Sequence, residues 1–281
     1  MTTVNSSAAE LQLFAVDASG PRALAVLTQG GNVHDVLEHL PGGVYSALRT
    51  FEHRKFLWLD AHLERTERSM SGLGWTKRLD RAALCRALDA VVRAYPGTDA
   101  RVRFDVLREP ATLQGVSADT FIALSPFAPL PAEYLTGGVR VDFAPHLSRP
   151  TPRIKTTEFV RVRKPFPIGT RERFDHILVD AEERVLECSS ANIVFVRRGE
   201  LIAAGDGVLE GITLKVLRQI AEGFALKFRT ERLPRAEIAH VDECFLSSSI
   251  RGPVPIVTVD TQRIGDGRVG PLTRRLVDAY Y

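Results

Sequence analysis

The sequence predicts an α+β protein with two domains, and three observations support this prediction. Strand-like segments heavily outnumber helices in the second half of the chain. The regular alternation of strand and helix that builds a doubly wound parallel sheet is absent from the pattern. The stretch SPFAPLPAEYLTGG (125–138) carries three prolines and two glycines between strand-like segments, which is typical of a linker. We therefore expect one domain over residues 1–128 and another over residues 137–281.

The elements of the first half follow from local patterns. GGVYSALRTF (42–51) alternates as a strand does, and EHRKF indicates a turn into a second strand. Asp60 is placed to cap a helix through AHLERTERSMSGL, and a second helix, over about residues 78–95, carries leucine and valine at the helical period. RVRFDVLR (101–108) and TFIALSPF (120–127) indicate paired strands.

The second half consists mainly of short strands, whose sequences are VRVDFA, HILVD, ANIVFV, CFLSSS and PIVTVD. Between the third and the fourth lies ITLKVLRQIAEGF (212–224), an amphipathic helix. GDGRVG (265–270) matches the G-x-G-x-x-G pattern of dinucleotide-binding proteins. It lies 11 residues from the C-terminus, however, which leaves no room for the helix and strand that such a site needs. A turn before a final short helix fits this segment better.

Composition and charge exclude several classes of protein. Of the 281 residues, 44% are hydrophobic and 25% charged, as in globular proteins. The 37 basic and 34 acidic residues are spread along the chain, so no basic patch predicts nucleic-acid binding. No apolar run approaches the roughly 18 residues of a membrane span, and the N-terminus lacks a secretory signal pattern. We expect neither a nucleic-acid nor a membrane partner.

The cysteines and histidines do not predict a metal site. Cys85, Cys188 and Cys244 are far apart, odd in number and without the spacing of metal ligands, and the seven histidines are scattered. Three unpaired cysteines fit a reducing compartment better than a disulfide framework. We therefore expect a cytoplasmic protein that binds no metal.

Four segments could do chemistry, and each also has an ordinary structural interpretation. Lys155 in RIKTTEF follows a strand-like run, although most lysines are solvated surface charges. Glu187 precedes a Ser/Cys cluster and an apolar run, where it could be a surface acid at a strand edge. LEGITLKVLRQI opens a helix whose first amides, at Ile212 and Thr213, could bind an anion, or whose threonine could simply cap the helix. FLSSSIRG (245–252) ends a strand in three hydroxyls and an arginine, or forms a polar loop.

The order of these segments decides between the interpretations. A lysine, a glutamate 32 residues later, a G-I-T helix start and a D-E-x-F-x-[ST]-[ST]-[ST] strand resemble the class IV family of pyridoxal-phosphate aminotransferases. That family includes branched-chain aminotransferase, D-amino-acid aminotransferase and aminodeoxychorismate lyase. GGVYSALRTF and LDAHLERTERSM are similar to its first strand and its D-x-H-x-x-R helix, and the C-terminal segment resembles its closing turn and helix. The resemblance implies fold type IV, with a smaller N-terminal α/β domain, a larger β-rich C-terminal domain and the cofactor between them.

The resemblance also assigns roles to the residues that match the family's motifs. Pyridoxal 5′-phosphate needs an amine for its aldehyde, an acid at its pyridine nitrogen and a cradle for its phosphate. Lys155 would form the Schiff base and later move a proton, and Glu187 would face the protonated pyridine nitrogen. The phosphate would be bound by Arg65, the backbone amides of Ile212 and Thr213, and the hydroxyl of Ser249.

The candidate substrate-binding residues are Tyr45, Arg103, Arg108 and Arg251. An arginine fork matches a substrate carboxylate bidentately, which favours Arg251 at the strand end that follows the phosphate hydroxyl. Arg103 and Arg108 are rivals, because family members often place carboxylate-reading residues on that strand. A solvated loop arginine is the ordinary interpretation of Arg251.

Two positions depart from the family's usual pattern. Many members read K-x-x-N-[YL] after the lysine, whereas this chain has Glu158 and Phe159, so a tyrosine hydroxyl that contacts the cofactor in some members is missing. The segment that often reads T-G-T-A-A-E in branched-chain enzymes is SSSIRG here. Both changes leave the cofactor residues in place and concern the identity of the substrate.

The activity that the resemblance implies is transamination between an amino acid, branched-chain-like or of the D series, and a 2-oxo acid such as 2-oxoglutarate or pyruvate. GRVGPLT near the C-terminus is closer to the transaminases than to the lyase. The alternative is aminodeoxychorismate lyase, which eliminates pyruvate, and a third hypothesis is a non-catalytic binding protein on the same scaffold. Because family members are dimers or larger, we expect at least a homodimer.

Overall fold

The structure is a computed structural model that describes residues 10–26, 33–35, 37 and 39–281. The N-terminal segment that lacks a signal pattern, residues 1–9, lies outside the described residues. No helix in the described part of the chain is long and apolar enough to cross a membrane. Nor do the described His, Cys, Asp and Glu side chains form a cluster of three or more that could hold a metal ion.

The described helices and strands alternate irregularly along the chain. The strands are β1 Gln12–Asp17, β2 Gly20–Leu24, β3 Gly43–Phe51, β4 Lys55–Phe56, β5 Ala100–Leu113, β6 Val116–Pro126, β7 Val139–Phe143, β8 His176–Val179, β9 Val185–Cys188, β10 Asn192–Arg197, β11 Glu200–Ala203, β12 Phe228–Thr230, β13 Glu243–Ser248, β14 Gly252–Val259 and β15 Gln262–Arg263. The α-helices are α1 Leu59–Gly72, α2 Arg81–Ala94, α3 Ala132–Thr136, α4 Thr157–Val162, α5 Ile212–Gly223 and α6 Pro271–Tyr280, and a 3-10 helix spans Arg235–His240.

The chain divides into two compact units. The first contains the described residues up to Ala128 together with Ile154–Arg161, and the second contains Pro129–Arg153 and Val162–Tyr281. The segment Ile154–Arg161, which includes the candidate lysine, therefore belongs to the first unit. This corrects the sequence-based boundary, which placed the segment in the domain over residues 137–281.

The first unit is built on an antiparallel sheet, whose described strands follow the order β2-β1-β6-β5-β3-β4. β5 and β6 form a long hairpin, and its two turn residues, Gln114 and Gly115, have φ angles of 52° and 76°. Two consecutive positive φ angles are typical of the type I′ turn that matches strand twist. Leu63 of α1, Leu84 of α2 and Val44 of β3 belong to one buried core cluster, which joins both helices to the sheet.

The second unit is built on a mixed sheet, whose described strands follow the order β12-β11-β10-β13-β14-β7-β8-β9, with β15 paired to β14. β10 shows why the sequences of these strands are continuously apolar. Ile193 and Phe195 point into one core cluster, whereas Val194 and Val196 point into another that includes α5 and α6. A strand buried on both faces loses the polar alternation of a half-exposed strand.

Most elements predicted from the sequence are present, with changed bounds. The helix predicted over about residues 78–95 is α2, whose N-cap, Asp80, accepts a hydrogen bond from the amide of Ala83. The predicted cap of α1 is wrong, because α1 begins before Asp60 and its N-cap is Trp58, with a φ of 52°. The expected linker over residues 125–138 contains the end of β6 and the short helix α3.

Candidate active site

The backbone of Lys155 is hydrogen-bonded to β3 and to α1 within the first unit. Its carbonyl accepts a bond from the amide of Tyr45 on β3 (3.0 Å), and its own amide donates to Oγ of Ser69 on α1 (3.3 Å). Two residues later, Oγ1 of Thr157 accepts a bond from the amide of Gly43 (2.9 Å). These bonds fix the lysine against two elements that are far from it in sequence.

Ser69 connects the lysine to Arg65. Besides accepting the lysine amide, its hydroxyl donates to the carbonyl of Arg65 (2.9 Å), one turn earlier in α1. Close packing supports the connection, because a Cβ added to Gly72 of α1 would lie 2.9 Å from Cδ1 of Ile154. A glycine at this position lets the helix approach the segment that carries Lys155.

A buried chain of hydrogen bonds involves the guanidinium of Arg65. Its Nη2 donates to Oγ of Ser46 (3.1 Å), and that hydroxyl lies 2.9 Å from Nδ1 of His62. The exposed fractions of Arg65 and His62 are 4% and 1%. Burial first, and then the charges of Arg65 and Lys155, hold the pKa of His62 well below its ordinary range. The imidazole is therefore neutral at neutral pH.

Tyr45 contacts two cations of the first unit. Nζ of Lys155 lies 4.7 Å from the centroid of its ring, and Cζ of Arg103 lies 4.4 Å from it. Both distances are within the range of cation–π interactions. Tyr45 and Arg103, two of the candidate substrate-binding residues, are thus close to the candidate Schiff-base lysine.

Arg103 is bound by a carboxylate of the protein itself. Its Nε and Nη2 donate to the two oxygens of Asp105, each at 2.7 Å, and its Nη1 lies 2.5 Å from Nδ1 of His34. The side chains of the pair are 2% and 0% exposed. A substrate carboxylate would therefore have to share Arg103 with Asp105. Arg108, the rival on the same strand, is exposed.

Glu187 is buried in the second unit. With an exposed fraction of 3%, it is not a surface acid at a strand edge. Its Oε1 accepts a bond from Nε of Arg149 (2.8 Å), and its Oε2 accepts bonds from the amide of Leu209 (3.3 Å) and from Nδ2 of Asn192 (3.4 Å). A buried carboxylate needs such a cation and such donors, and here they hold it in one orientation.

The N-terminus of α5 lies next to the same asparagine. A Cβ added to Gly211 would lie 1.9 Å from Oδ1 of Asn192, so only a glycine allows this approach. Gly211 is the N-cap of α5, and no described side chain caps the helix, so the threonine cap considered above is absent. The amides of Ile212 and Thr213 stand at the helix start, where helices bind anions.

The end of β13 contributes hydroxyls beside this helix start. Ser247 is paired with Asn192 on β10, and its Oγ is buried without a hydrogen-bond partner among the described residues. Ser249 follows in the turn after the strand and is partly buried. A buried hydroxyl that lacks a protein partner is rare in native structures, and it suits a ligand that accepts a bond.

Arg251 is held by a buried aspartate rather than solvated. Its Nη2 donates to Oδ2 of Asp175 (2.9 Å) and to Oγ of Ser190 (2.6 Å), and its Nε donates to Oγ of Ser248 (3.3 Å). Burial acts to raise the pKa of Asp175, but the charge of Arg251 and bonds from two serine hydroxyls outweigh it, so this pKa lies below its ordinary value. The guanidinium therefore neutralises Asp175.

Each unit thus gathers part of the sequence-predicted set. The first brings together Lys155, Arg65, Tyr45 and Arg103, and the second contains Glu187, Ile212, Thr213, Ser249 and Arg251. Sequence reasoning missed the acids that hold the arginines and the arginine that holds Glu187. Asp105 lies two residues from Arg103 on the same strand, a spacing that could have indicated the pair. Asp175 and Arg149 are far in sequence from the residues that they bind, and no spacing rule marks them. Sequence reasoning also missed His62, although the D-x-H-x-x-R motif contains it.

A family model described as amino-transferase class IV matches residues 43–259 of the chain. The chain belongs to this family. The match spans β3, the lysine segment, Glu187 and the strand end at Ser249, which are the parts of the molecule that carry the candidate site.

Named aminotransferases are similar to shorter stretches of the chain. The chain is 32% identical over 100 residues to a D-alanine aminotransferase of Staphylococcus haemolyticus, which covers 35% of this chain and 36% of that protein. It is also 32% identical over 106 residues to a branched-chain-amino-acid aminotransferase of Pseudomonas aeruginosa, which covers 37% and 34%. These alignments span about a third of the length of the curated relatives.

Solved structures of aminotransferases share the fold over nearly the whole chain. The branched-chain aminotransferase of the archaeon Thermoproteus uzoniensis with norvaline superposes with a TM-score of 0.76 at 23% identity, covering 96% of this chain and 93% of that one. This likeness shows that the protein has the two-domain α+β fold of the class IV aminotransferases, as the sequence predicted.

The buried pair of Arg251 and Asp175 leads to a prediction about stability. In Arg251→Ala, Asp175 keeps its burial but loses its cation, which should lower the free energy of unfolding by about 3–5 kcal/mol. Urea denaturation of the purified variants measures the change. Arg268→Ala, which removes an exposed arginine of the same unit, should stay within about 0.5 kcal/mol of the parent. Equal stabilities for the two variants would contradict the role given to Arg251.

Proposed function

We propose that the protein is a pyridoxal-phosphate-dependent aminotransferase that moves an amino group from an amino acid to a 2-oxo acid. The observation that carries the proposal is the hydroxyl of Ser69, which joins the backbone of Lys155 to that of Arg65 in a chain of the class IV family. An amine for the aldehyde and a cation for the phosphate are thereby held in one arrangement, which is what this cofactor requires.

The donor groups of the protein fit pyridoxal phosphate. Three features support the fit: the buried, fixed carboxylate of Glu187, the uncapped start of α5 and the buried hydroxyl of Ser247 without a described partner. We propose that one cofactor is held by Lys155, Arg65, Glu187, the amides of Ile212 and Thr213, and the hydroxyl of Ser249. When bound, pyridoxal phosphate supplies an aldehyde that bonds to amines and a ring that draws electrons away from the substrate's Cα.

In this proposal Lys155 works as the base that moves a proton from Cα of the substrate. Its backbone is fixed by hydrogen bonds to Tyr45 and Ser69, so its side chain moves while its Cα stays in place. A base must stay within hydrogen-bonding reach of the proton that it takes. The pKa of the neighbouring His62 lies well below its ordinary value because of burial, so its imidazole is a weak base and does not compete with Lys155 for this proton.

Glu187 would hold a proton at the ring nitrogen of the cofactor. The carboxylate cannot turn away, because Arg149, Asn192 and the amide of Leu209 fix both of its oxygens. A fixed negative charge opposite the nitrogen stabilises the protonated ring, and a protonated ring is the stronger electron acceptor.

The substrate carboxylate has several candidate partners. Tyr45 and Arg103 lie near Lys155, although Asp105 already binds Arg103. Arg251 is bound to Asp175, and Arg108 is exposed. We propose that Tyr45 and Arg103 contact the substrate, because the ring of Tyr45 contacts both Arg103 and the proposed base. The named relatives include D-alanine and branched-chain-amino-acid aminotransferases, so donors of both kinds are the ones to test.

A homodimer in the cytoplasm remains our proposal for the assembly and its location. The described cysteines, one partly buried and two buried, are free, which agrees with a reducing compartment. Light scattering coupled to gel filtration would measure the oligomeric state.

The reaction type can be tested with the cofactor's own absorbance. Adding an amino acid without a 2-oxo acid should change the visible spectrum of the aminotransferase, because the amino group stays on the cofactor after the oxo acid leaves. D-alanine, L-alanine and both enantiomers of leucine and valine form the test panel. A lyase would leave the spectrum unchanged at the end of turnover and would release pyruvate from aminodeoxychorismate, so that result would favour the alternative.

The assignment of Lys155 predicts where the cofactor is attached. Borohydride reduction followed by peptide mapping should place the reduced adduct on Lys155. The variant Lys155→Ala should lose both the adduct and measurable turnover, since no amine remains at this position. Lys164→Ala serves as the control and should keep both. Finding the adduct on Lys164 would end the assignment.

The assignment of Glu187 predicts that a variant without its charge still binds the cofactor but turns over slowly. Glu187→Gln keeps the shape of the side chain but cannot stabilise a protonated ring nitrogen, so turnover should fall at least about a hundredfold, roughly 2.7 kcal/mol of barrier. Steady-state kinetics and the absorbance of bound cofactor measure the two effects. Glu182→Gln changes an exposed acid of the same unit and should leave both unchanged. A normal rate in Glu187→Gln would give this acid another role.

A further inference from the structure

A hydrogen-bonded chain connects Arg65 to His62. Nη2 of Arg65 donates to Oγ of Ser46 at 3.1 Å, and the same oxygen lies 2.9 Å from Nδ1 of His62. An arginine can only donate. Oγ therefore accepts this bond, and its contact with Nδ1 takes its direction from the tautomer of His62.

The cation beside Nδ1 favours the tautomer whose ring proton is on Nε2. In that tautomer Nδ1 accepts a hydrogen bond from the hydroxyl of Ser46. Nη2 of Arg65 also lies 3.5 Å from Nδ1, and a proton on Nδ1 would face that cation. Burial and the charges of Arg65 and Lys155 keep the pKa of His62 well below its ordinary range, which agrees with a neutral ring.

We propose that His62 is a positioning residue for Arg65: its Nδ1 orients the hydroxyl of Ser46, and this hydroxyl holds the guanidinium in the orientation that binds the cofactor's phosphate. The inference rests on the proposed function, in which Arg65 is a phosphate ligand. In this proposal His62 acts only through Ser46 and Arg65.

The buried position makes the neutral imidazole suitable for this role. His62 is 1% exposed and adjacent to Arg65 and Lys155. A charged imidazole at this position would be a third buried cation and would destabilise the folded protein. A neutral acceptor at Nδ1 needs no counter-charge, and its rigid ring leaves little freedom to the hydroxyl that it binds. The histidine of the D-x-H-x-x-R motif thereby connects β3 to the arginine of α1.

The sign of the pH effect follows from the depressed pKa. The unfolded chain binds a proton on this histidine below about pH 6.5, whereas the folded protein does not. Stability contributed by neutral His62 is therefore present above that pH and decreases as the pH falls below it. The charged groups that face the ring are Arg65 on its own helix and Lys155 from the lysine segment.

The experiment compares pyridoxal phosphate with pyridoxal, which lacks the phosphate, on cofactor-free protein. His62→Leu should weaken the affinity for pyridoxal phosphate about tenfold, the loss of about one hydrogen bond to a charged group, and leave that for pyridoxal unchanged. His62→Asn, whose amide oxygen can take the place of Nδ1, should stay within about threefold of the parent. His53→Asn, a partly buried histidine of the same unit with a φ of 70° that asparagine tolerates, is the control and should change neither affinity.

A second comparison shows whether His62 acts through Arg65. In an Arg65→Ala background, His62→Leu should cause no further loss of phosphate selectivity, because nothing remains to be oriented. Ser46→Ala, a smaller change that tests the same link, should reproduce the effect of His62→Leu in the parent. Nitrogen NMR of labelled parent protein should show a neutral His62 with its proton on Nε2.

The outcomes separate this inference from the proposed function. If the parent binds pyridoxal phosphate no better than pyridoxal, the proposed phosphate cradle is wrong. If the parent shows the preference and both His62→Leu and Ser46→Ala keep it in full, the positioning role is wrong. An equal loss of both ligands in these variants, or a full effect in the Arg65→Ala background, would also overturn it, since His62 would then act on the fold rather than through Arg65.

Discussion

The candidate site of the first unit depends on the hydrogen bonds that fix the backbone of Lys155. The segment Ile154–Arg161 is separated in sequence from the rest of this unit, which otherwise ends at Ala128. Its position comes from the amide of Tyr45 and the hydroxyl of Ser69. A reactive group must be held within about 0.5 Å of its productive geometry, and bonds from the backbone of Lys155 to β3 and α1 provide that accuracy without restricting the side chain.

Three arginines of the two units are each bound to a buried carboxylate of the protein. Each is paired with a carboxylate whose side chain is nearly or fully buried, the pairs being Arg103–Asp105, Arg149–Glu187 and Arg251–Asp175. Removing one partner of such a pair leaves an uncompensated charge in a medium that solvates it poorly. An anionic substrate group therefore cannot take one of these arginines without displacing or sharing an internal carboxylate. Donor selectivity at these positions would depend on how easily each pair can share its cation.

The sequence predicted the features that short motifs encode, and it missed the contacts between residues that are far apart in the chain. The order of Lys155, Glu187 and the G-I-T helix start was sufficient to indicate the family, because each lies in a short motif. The cap of α1 was wrong, since Trp58 takes a left-handed conformation that its residue type does not suggest. Arg149 contacts Glu187 across 38 residues of sequence, and Asp175 contacts Arg251 across 76. Ion pairs at such separations follow from strand order, which a single sequence does not show.

The pair of His62 and Arg65 could be predicted only in part from the sequence. A spacing of three residues places two side chains on one face of a helix, so the sequence alone could have predicted that they are neighbours. It could not have shown that the pair is buried or that Ser46 of β3 lies between them. Burial keeps the imidazole neutral, and a neutral imidazole has a ring nitrogen that can accept a hydrogen bond from the hydroxyl of Ser46. The chemical state of the motif's histidine is therefore set by the packing of α1 on the sheet, while its place beside the arginine is set by the sequence.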